Sequence, residues 1–172
     1  MKGYVRIVSG LSRLCGAAAV LLIVAALLVV CHMVIVRGVL GETVIWQTEF
    51  ATFSLVAATL IGSPYVLLVR GHVNVELLPL YMGPRGRRAL ALATATAALV
   101  FCLAVLWDAV GWWWEAFEGG WTTDSMWRAR LWIPYLALPA GMFVLALQYV
   151  AEIWSVAAGR AHPFGLAPEA RP

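Results

Sequence analysis

The chain has 172 residues, 63% of them hydrophobic and only 12% charged, with a mean hydropathy of +0.86. Soluble domains carry roughly half apolar and about a quarter charged residues, so this composition excludes a soluble enzyme and points to an all-α protein embedded in a membrane. The net charge of +3 and pI near 9.0 carry no nucleic-acid signal, because no basic surface interleaved with aromatics accompanies them.

A hydrocarbon core of about 30 Å is crossed by about 20 helical residues. Four runs qualify, at about 14–36, 50–69, 89–111 and 131–153, and they use most of the chain. The whole of 1–172 therefore reads as a single membrane domain. Lys2, Arg6 and Arg13 precede the first run as in a secretory signal, but the run exceeds the roughly 7–15 residue core of such signals and no small-x-small cleavage pattern follows. An uncleaved first span is expected.

The second run is entered through Trp46-Gln47-x-Glu49 and contains Gly62 and Pro64. Residues 70–88 then form a polar-apolar mixture. Arg70 and His72 mark the span's exit, and Val73, Val75, Leu77, Leu78, Leu80 and Met82 form a short apolar set suited to the membrane interface or to a partner. Pro79 and Gly83-Pro84 interrupt helix, and Arg85, Arg87 and Arg88 are placed to anchor the next span in anionic headgroups. As a metal site this stretch is poor: His72 and Glu76 share a helical face at i and i+4, but no third ligand stands near.

The third run is rich in small residues, with Ala93/Ala97 and Thr94/Ala98 as small-x-x-x-small pairs that permit close helix approach. The fourth has Ala137/Gly141 together with Pro134 and Pro139, which predict a kinked helix whose freed carbonyls need neighbours. The tail, 158–172, is short and holds Gly, Pro and Ala.

Orientation follows the basic residues. Lys2, Arg6, Arg13, Arg70, Arg85, Arg87, Arg88, Arg160 and Arg171 fall on one side, leaving only Arg37, Arg128 and Arg130 on the other, so both termini, the 70–88 loop and the tail are expected in the cytoplasm. The outer side carries Glu42, Glu49, Asp108, Glu115, Glu118 and Asp124. Trp46, Trp107, Trp112, Trp113, Trp114, Trp127 and Trp132 lie near the outer ends of the runs, as an aromatic belt at headgroup depth would.

The chemistry of a catalytic or redox site is missing from the pattern. Cys15, Cys31 and Cys102 lie inside apolar runs without C-x-x-C spacing and read as small packing residues. His32, His72 and His162 fall at different depths, so no pair clamps a haem iron. Glu49, Asp108 and Glu152 sit at run ends, leaving the midplane without the ionisable group a proton-coupled exporter requires. No enzymatic activity, cofactor or metal is expected.

The elements in order carry a resemblance. Trp46-Gln47-x-Glu49, Gly62, Arg70-Gly71-His72-Val73-x-Val75-Glu76 and the fourth run's IPYLALPAGMFVLALQYV, with Pro139-Ala140-Gly141, resemble the small membrane subunit of tripartite ATP-independent periplasmic (TRAP) transporters, the DctQ family. The resemblance spans about 14–156. It implies a multi-pass protein of the bacterial inner membrane that packs against the fixed part of a large membrane subunit. That large subunit imports an organic acid, delivered by a periplasmic binding protein, by a sodium-driven elevator motion. On this reading Glu49, Gly62, Arg70, His72, Glu76, Pro139 and Gly141 are candidate partner-interface residues, and Trp46, Trp112, Trp113, Arg85, Arg87 and Arg88 face lipid. The outer carboxylates are a candidate docking patch for the binding protein. The competing expectation is a free-standing four-helix assembly factor or small homo-oligomeric exporter.

Overall fold

The computed structural model describes residues 2–42, 45–69 and 83–159. Its helices are α1 (Lys2–Ile35), closed by a π turn over Val36–Leu40; α2 (Trp46–Leu68); α3 (Pro84–Glu118); and α4 (Trp132–Tyr135) with α5 (Ala137–Ala157), which together make the fourth span. All four units are long and apolar enough to cross a membrane. Among the described residues the only β pairing is one antiparallel bridge, Thr122 to Arg130.

The helices outrun the sequence expectation in two places. The first begins at Lys2 rather than near 14, and the third runs from Pro84 to Glu118 instead of 89–111. At about 1.5 Å per residue α1 and α3 are each about 50 Å long, well beyond a hydrocarbon core of about 30 Å. Hydropathy marks only the lipid-soluble part of a helix. The extra turns of α1 are held by contacts to the distant fourth span: the Tyr4 hydroxyl donates to the Leu147 carbonyl (3.1 Å) and Ser12 Oγ donates to Gln148 Oε1 (3.0 Å), both groups of the latter pair buried. For α3, Pro84 at the first helical turn gives up an N–H that would have lacked a partner anyway.

Small residues decide which faces meet. Along α2 the buried positions are Gln47, Ala51, Ser54, Ala58 and Gly62, a stripe repeating every three to four residues that packs against α1 and α5. Gly16 of α1 lies under the Tyr65 ring, with no room for a Cβ, and Gly62 faces Ala19. The third span is different. Its buried seam is Cys102, Ala109 and Ala116, seven residues apart as in a left-handed helix pair, and it leans on the fourth span alone, with no comparable seam to α1 or α2. Cys102 meets Leu145 and Ala146 there.

The α1 N-terminus, the α2 C-terminus and the α5 C-terminus converge at one end, where Val5, Ser9, Leu67, Gln148, Glu152 and Ser155 line a cavity of about 150 Å³. Arg88, from the start of α3, donates to the Ala157 carbonyl at the same end. The four spans thus run alternately up and down, with both helical termini on one side of the bundle.

Candidate partner interface

Two prolines each deprive a carbonyl one turn earlier of its helical donor. Pro64, fully buried inside α2, has no N–H for the Leu60 carbonyl one turn earlier. Ser63 Oγ donates to that oxygen instead (2.8 Å), and Gly141 of α5 packs directly over it. A Cβ at Gly141 would lie 2.4 Å from the Leu60 oxygen and 2.7 Å from its carbon. Pro139 likewise leaves the Tyr135 carbonyl without its usual donor, and the fourth span breaks at Leu136 between α4 and α5. The expected kink is present. Ala140 N–H resumes the ladder by donating to the Leu136 carbonyl (3.1 Å).

The opposite end is an aromatic and hydrogen-bonded cap. The Gln47 amide nitrogen lies 2.5 Å from His32 Nδ1, tying α2 to α1, and Thr48 Oγ1 faces Met33 sulfur at 3.6 Å. Trp46 packs edge-on to Phe50 and, at 6.3 Å between centroids, beside Trp127. Trp113 Nε1–H donates to the Trp132 carbonyl (3.1 Å), while Phe117 stacks on Trp113 and meets Trp132 edge to face. The α3–α4 connection is folded: Thr123 N–H donates to the Ala129 carbonyl (3.0 Å), Ala129 N–H to Thr123 Oγ1 (3.0 Å) and Leu131 N–H to the Trp121 carbonyl (2.9 Å). Arg128 takes a left-handed conformation, φ 47°, within it. Among the described residues neither Gln47 Oε1 nor Glu49 Oε2, both shielded from solvent, has a hydrogen-bond partner.

The residues singled out from sequence fall into three groups. Gly62, Pro139 and Gly141 are buried at contacts within the chain, Gly62 against α1 and Gly141 against α2. Glu49 is half-buried beside Gln47, which the sequence reading left aside although it is the more deeply enclosed of the two. Its signal was available: a polar residue in the first turn of an apolar helix, in register with Ala51, Ser54 and Ala58. Arg70, His72 and Glu76 lie outside the described residues. Of the side chains assigned to lipid, Trp46 and Trp112 are exposed and Trp113 is half-buried in the aromatic cap. Arg85 is exposed, Arg88 caps the fourth span, and Arg87, 6% exposed, is enclosed and engaged at the end of α3.

What the chain leaves uncovered is mostly on α3. Ala93, Thr94, Thr96 and Ala97 are exposed, so the small-x-x-x-small face is not used internally, and Val100, Phe101 and Leu103 continue it. Thr94 and Thr96 return their hydroxyls to the carbonyls of Leu90 and Leu92, which leaves a face without unsatisfied hydroxyls. Asp108 is exposed on the same helix, ten residues before the helix end at Glu118 rather than at its end as the shorter run suggested. Among the described residues no group of three metal-ligating side chains occurs.

This architecture agrees with a family match. The family described as tripartite ATP-independent periplasmic transporters, DctQ component, matches residues 26–159. The chain belongs to the DctQ family. A relative, the C4-dicarboxylate TRAP transporter small permease protein DctQ of Vibrio cholerae serotype O1, is 25% identical over 151 residues, covering 74% of this chain. The chain spans 64% of that relative's length. No solved structure matches. This DctQ-family chain is thus a TRAP transporter component and a multi-pass protein of the bacterial inner membrane.

Proposed function

We propose that the chain is the small permease subunit of a sodium-coupled TRAP transporter, a static part of the machine against which a large membrane subunit is seated. The observation that carries this reading is the family match over 26–159, from the last part of the first span through the fourth. An elevator transporter needs one part that stays fixed while another slides, and four additional helices widen the fixed part and resist its tilting in lipid. The apolar stretches 14–36, 50–69, 89–107 and 131–151 carry no Asp, Glu, Lys or Arg, in keeping with substrate and sodium sites that belong to the large subunit. The substrate class proposed is an organic acid delivered by a periplasmic binding protein; a C4-dicarboxylate is the one named for the relative.

The face offered to the large subunit is the uncovered side of α3, and Arg70, His72 and Glu76 are assigned to the same partner from the sequence. Small residues there let a partner helix approach to backbone contact. Both termini are assigned to the cytoplasm, where the basic residues gather. The outer carboxylates, Glu49, Asp108, Glu115, Glu118 and Asp124, are assigned to the docking of the binding protein.

The test is reconstitution of the large subunit in liposomes with and without an inward sodium gradient, with and without this chain, at limiting binding protein. Uptake that depends on the chain, and co-purification of the two subunits in detergent, is the expected result. Full uptake by the large subunit alone defeats the scaffold reading and favours the free-standing alternative.

A further inference from the structure

Between α2 and the fourth span, at the tryptophan end, lies a cavity of about 570 Å³. Its walls are apolar, from Leu22, Phe53, Ala57, Ile61, Ile133 and Ala140, and its volume is that of a small-molecule site. Apart from Ser54 of α2, polar side chains border it at one end, where Trp127, Arg128 and Arg130 stand.

Those arginines are unusual in three respects. They belong to the three cations, with Arg37, at an end otherwise populated by carboxylates. Neither guanidinium makes a hydrogen bond or ion pair among the described residues, although Asp124, Glu115 and Glu118 lie close in sequence. And Arg128 is held in the left-handed backbone region by a folded loop, a conformation unfavourable for a non-glycine residue that tends to persist where a side chain must be aimed.

The geometry points to a binding site for one anionic glycerophospholipid, with an acyl chain in the cavity and its phosphate held by Arg128 and Arg130. Guanidinium forks match phosphate oxygens, and Trp127, paired with Trp46, sets the headgroup depth. An extended peptide would bring unpaired backbone polar groups along its whole length, which walls that are apolar but for Ser54 leave unsatisfied. A single amphiphile with one charged end satisfies both parts of the site. The bound lipid would brace α2 against the fourth span where protein packing leaves a gap.

The test is native mass spectrometry of the full-length chain, delipidated in detergent, titrated with phosphatidylglycerol and with phosphatidylcholine of the same acyl chains. One phosphatidylglycerol per chain, retained in preference to phosphatidylcholine, is expected. The R128Q/R130Q variant should lose that preference by about 30-fold, about fivefold for each surface charge removed. R37Q, which removes a cation at the same end but outside the cavity, should bind as the parent does, and A140F, which fills the cavity and keeps both arginines, should not bind. Glycerol phosphate, a headgroup without chains, should not displace the lipid. Equal retention of both lipids, equal losses in R37Q and R128Q/R130Q, or binding by A140F overturns the site. So does displacement by glycerol phosphate, or loss of the lipid once the large subunit is bound, which would assign the cavity to a protein partner. If R128Q/R130Q is not recovered as folded protein, the A140F and R37Q results decide alone.

Discussion

Gly141→Ala adds one methyl group where, among the described glycines, a Cβ would come nearest to a neighbouring helix. The new Cβ would stand 2.4 Å from the Leu60 oxygen, 2.7 Å from its carbon and 3.3 Å from Ile61 nitrogen. All three are backbone atoms, so no rotamer change relieves them; α5 and α2 must separate by about 1 Å to restore ordinary contact. Overpacking of this kind costs about 1–3 kcal/mol, and the upper end applies because a separation of that size also weakens dispersion contacts along the seam. Alanine is the better helix former by about 1 kcal/mol, which leaves a net loss of about 2 kcal/mol. For a chain of this size that corresponds to a melting temperature lower by roughly 4–8 °C in a fixed detergent. Two controls bracket the value. Gly111→Ala has open space at Cβ and should match or exceed the parent, while Gly62→Ala, 3.1 Å from the Ala19 methyl, should fall between. The assay is thermal unfolding of the three variants followed by circular dichroism and by size-exclusion recovery. An unchanged melting temperature for Gly141→Ala, or a larger loss for Gly62→Ala, refutes the backbone-contact argument.

Ser12→Ala leaves Gln148 Oε1 buried without its donor and should lower stability by about 1 kcal/mol, whereas Gln148→Leu in the same chain removes the stranded group. Denaturation midpoints should therefore place the double variant at or above Ser12→Ala alone. Arg128→Gly relieves the left-handed backbone at φ 47° and should stabilise the 119–131 loop of the lipid-free protein by about 1 kcal/mol, read as slower amide exchange at Thr123, Ala129 and Leu131, whose N–H groups hold the loop.

Much of the architecture can be read from residue order because lipid enforces it: an apolar run of sufficient length has no alternative but to span as helix. Pro139 announced the break at Leu136 for the same local reason, a missing donor. Seam identity is harder. The Ala93/Ala97 spacing marks a face able to pack closely but does not say against what, and the seam that α3 uses internally is Cys102, Ala109 and Ala116, a seven-residue repeat that its uniformly small and apolar neighbours conceal. Helix ends beyond the membrane were also hidden, since the first turns of α1 depend on Tyr4 and Ser12 reaching Leu147 and Gln148, contacts more than 130 positions away in the chain. The folded 119–131 loop depends on Thr123 hydrogen bonds that composition cannot reveal. Gln47 and Gly141 became legible only when the opposing carbonyl or imidazole was known.

The dependence of α3 on the fourth span alone sets an order of events at the ribosome. Helices α1 and α2 share a long seam and can pair as soon as the second has entered the bilayer. The third then waits in lipid with no resting place until the last span to be synthesised arrives and closes the seams with α2 and α3 together. Completion of the bundle is therefore a late step, and a chain cut short after Glu118 would present a paired hairpin beside a helix whose seam of Cys102, Ala109 and Ala116 is uncovered.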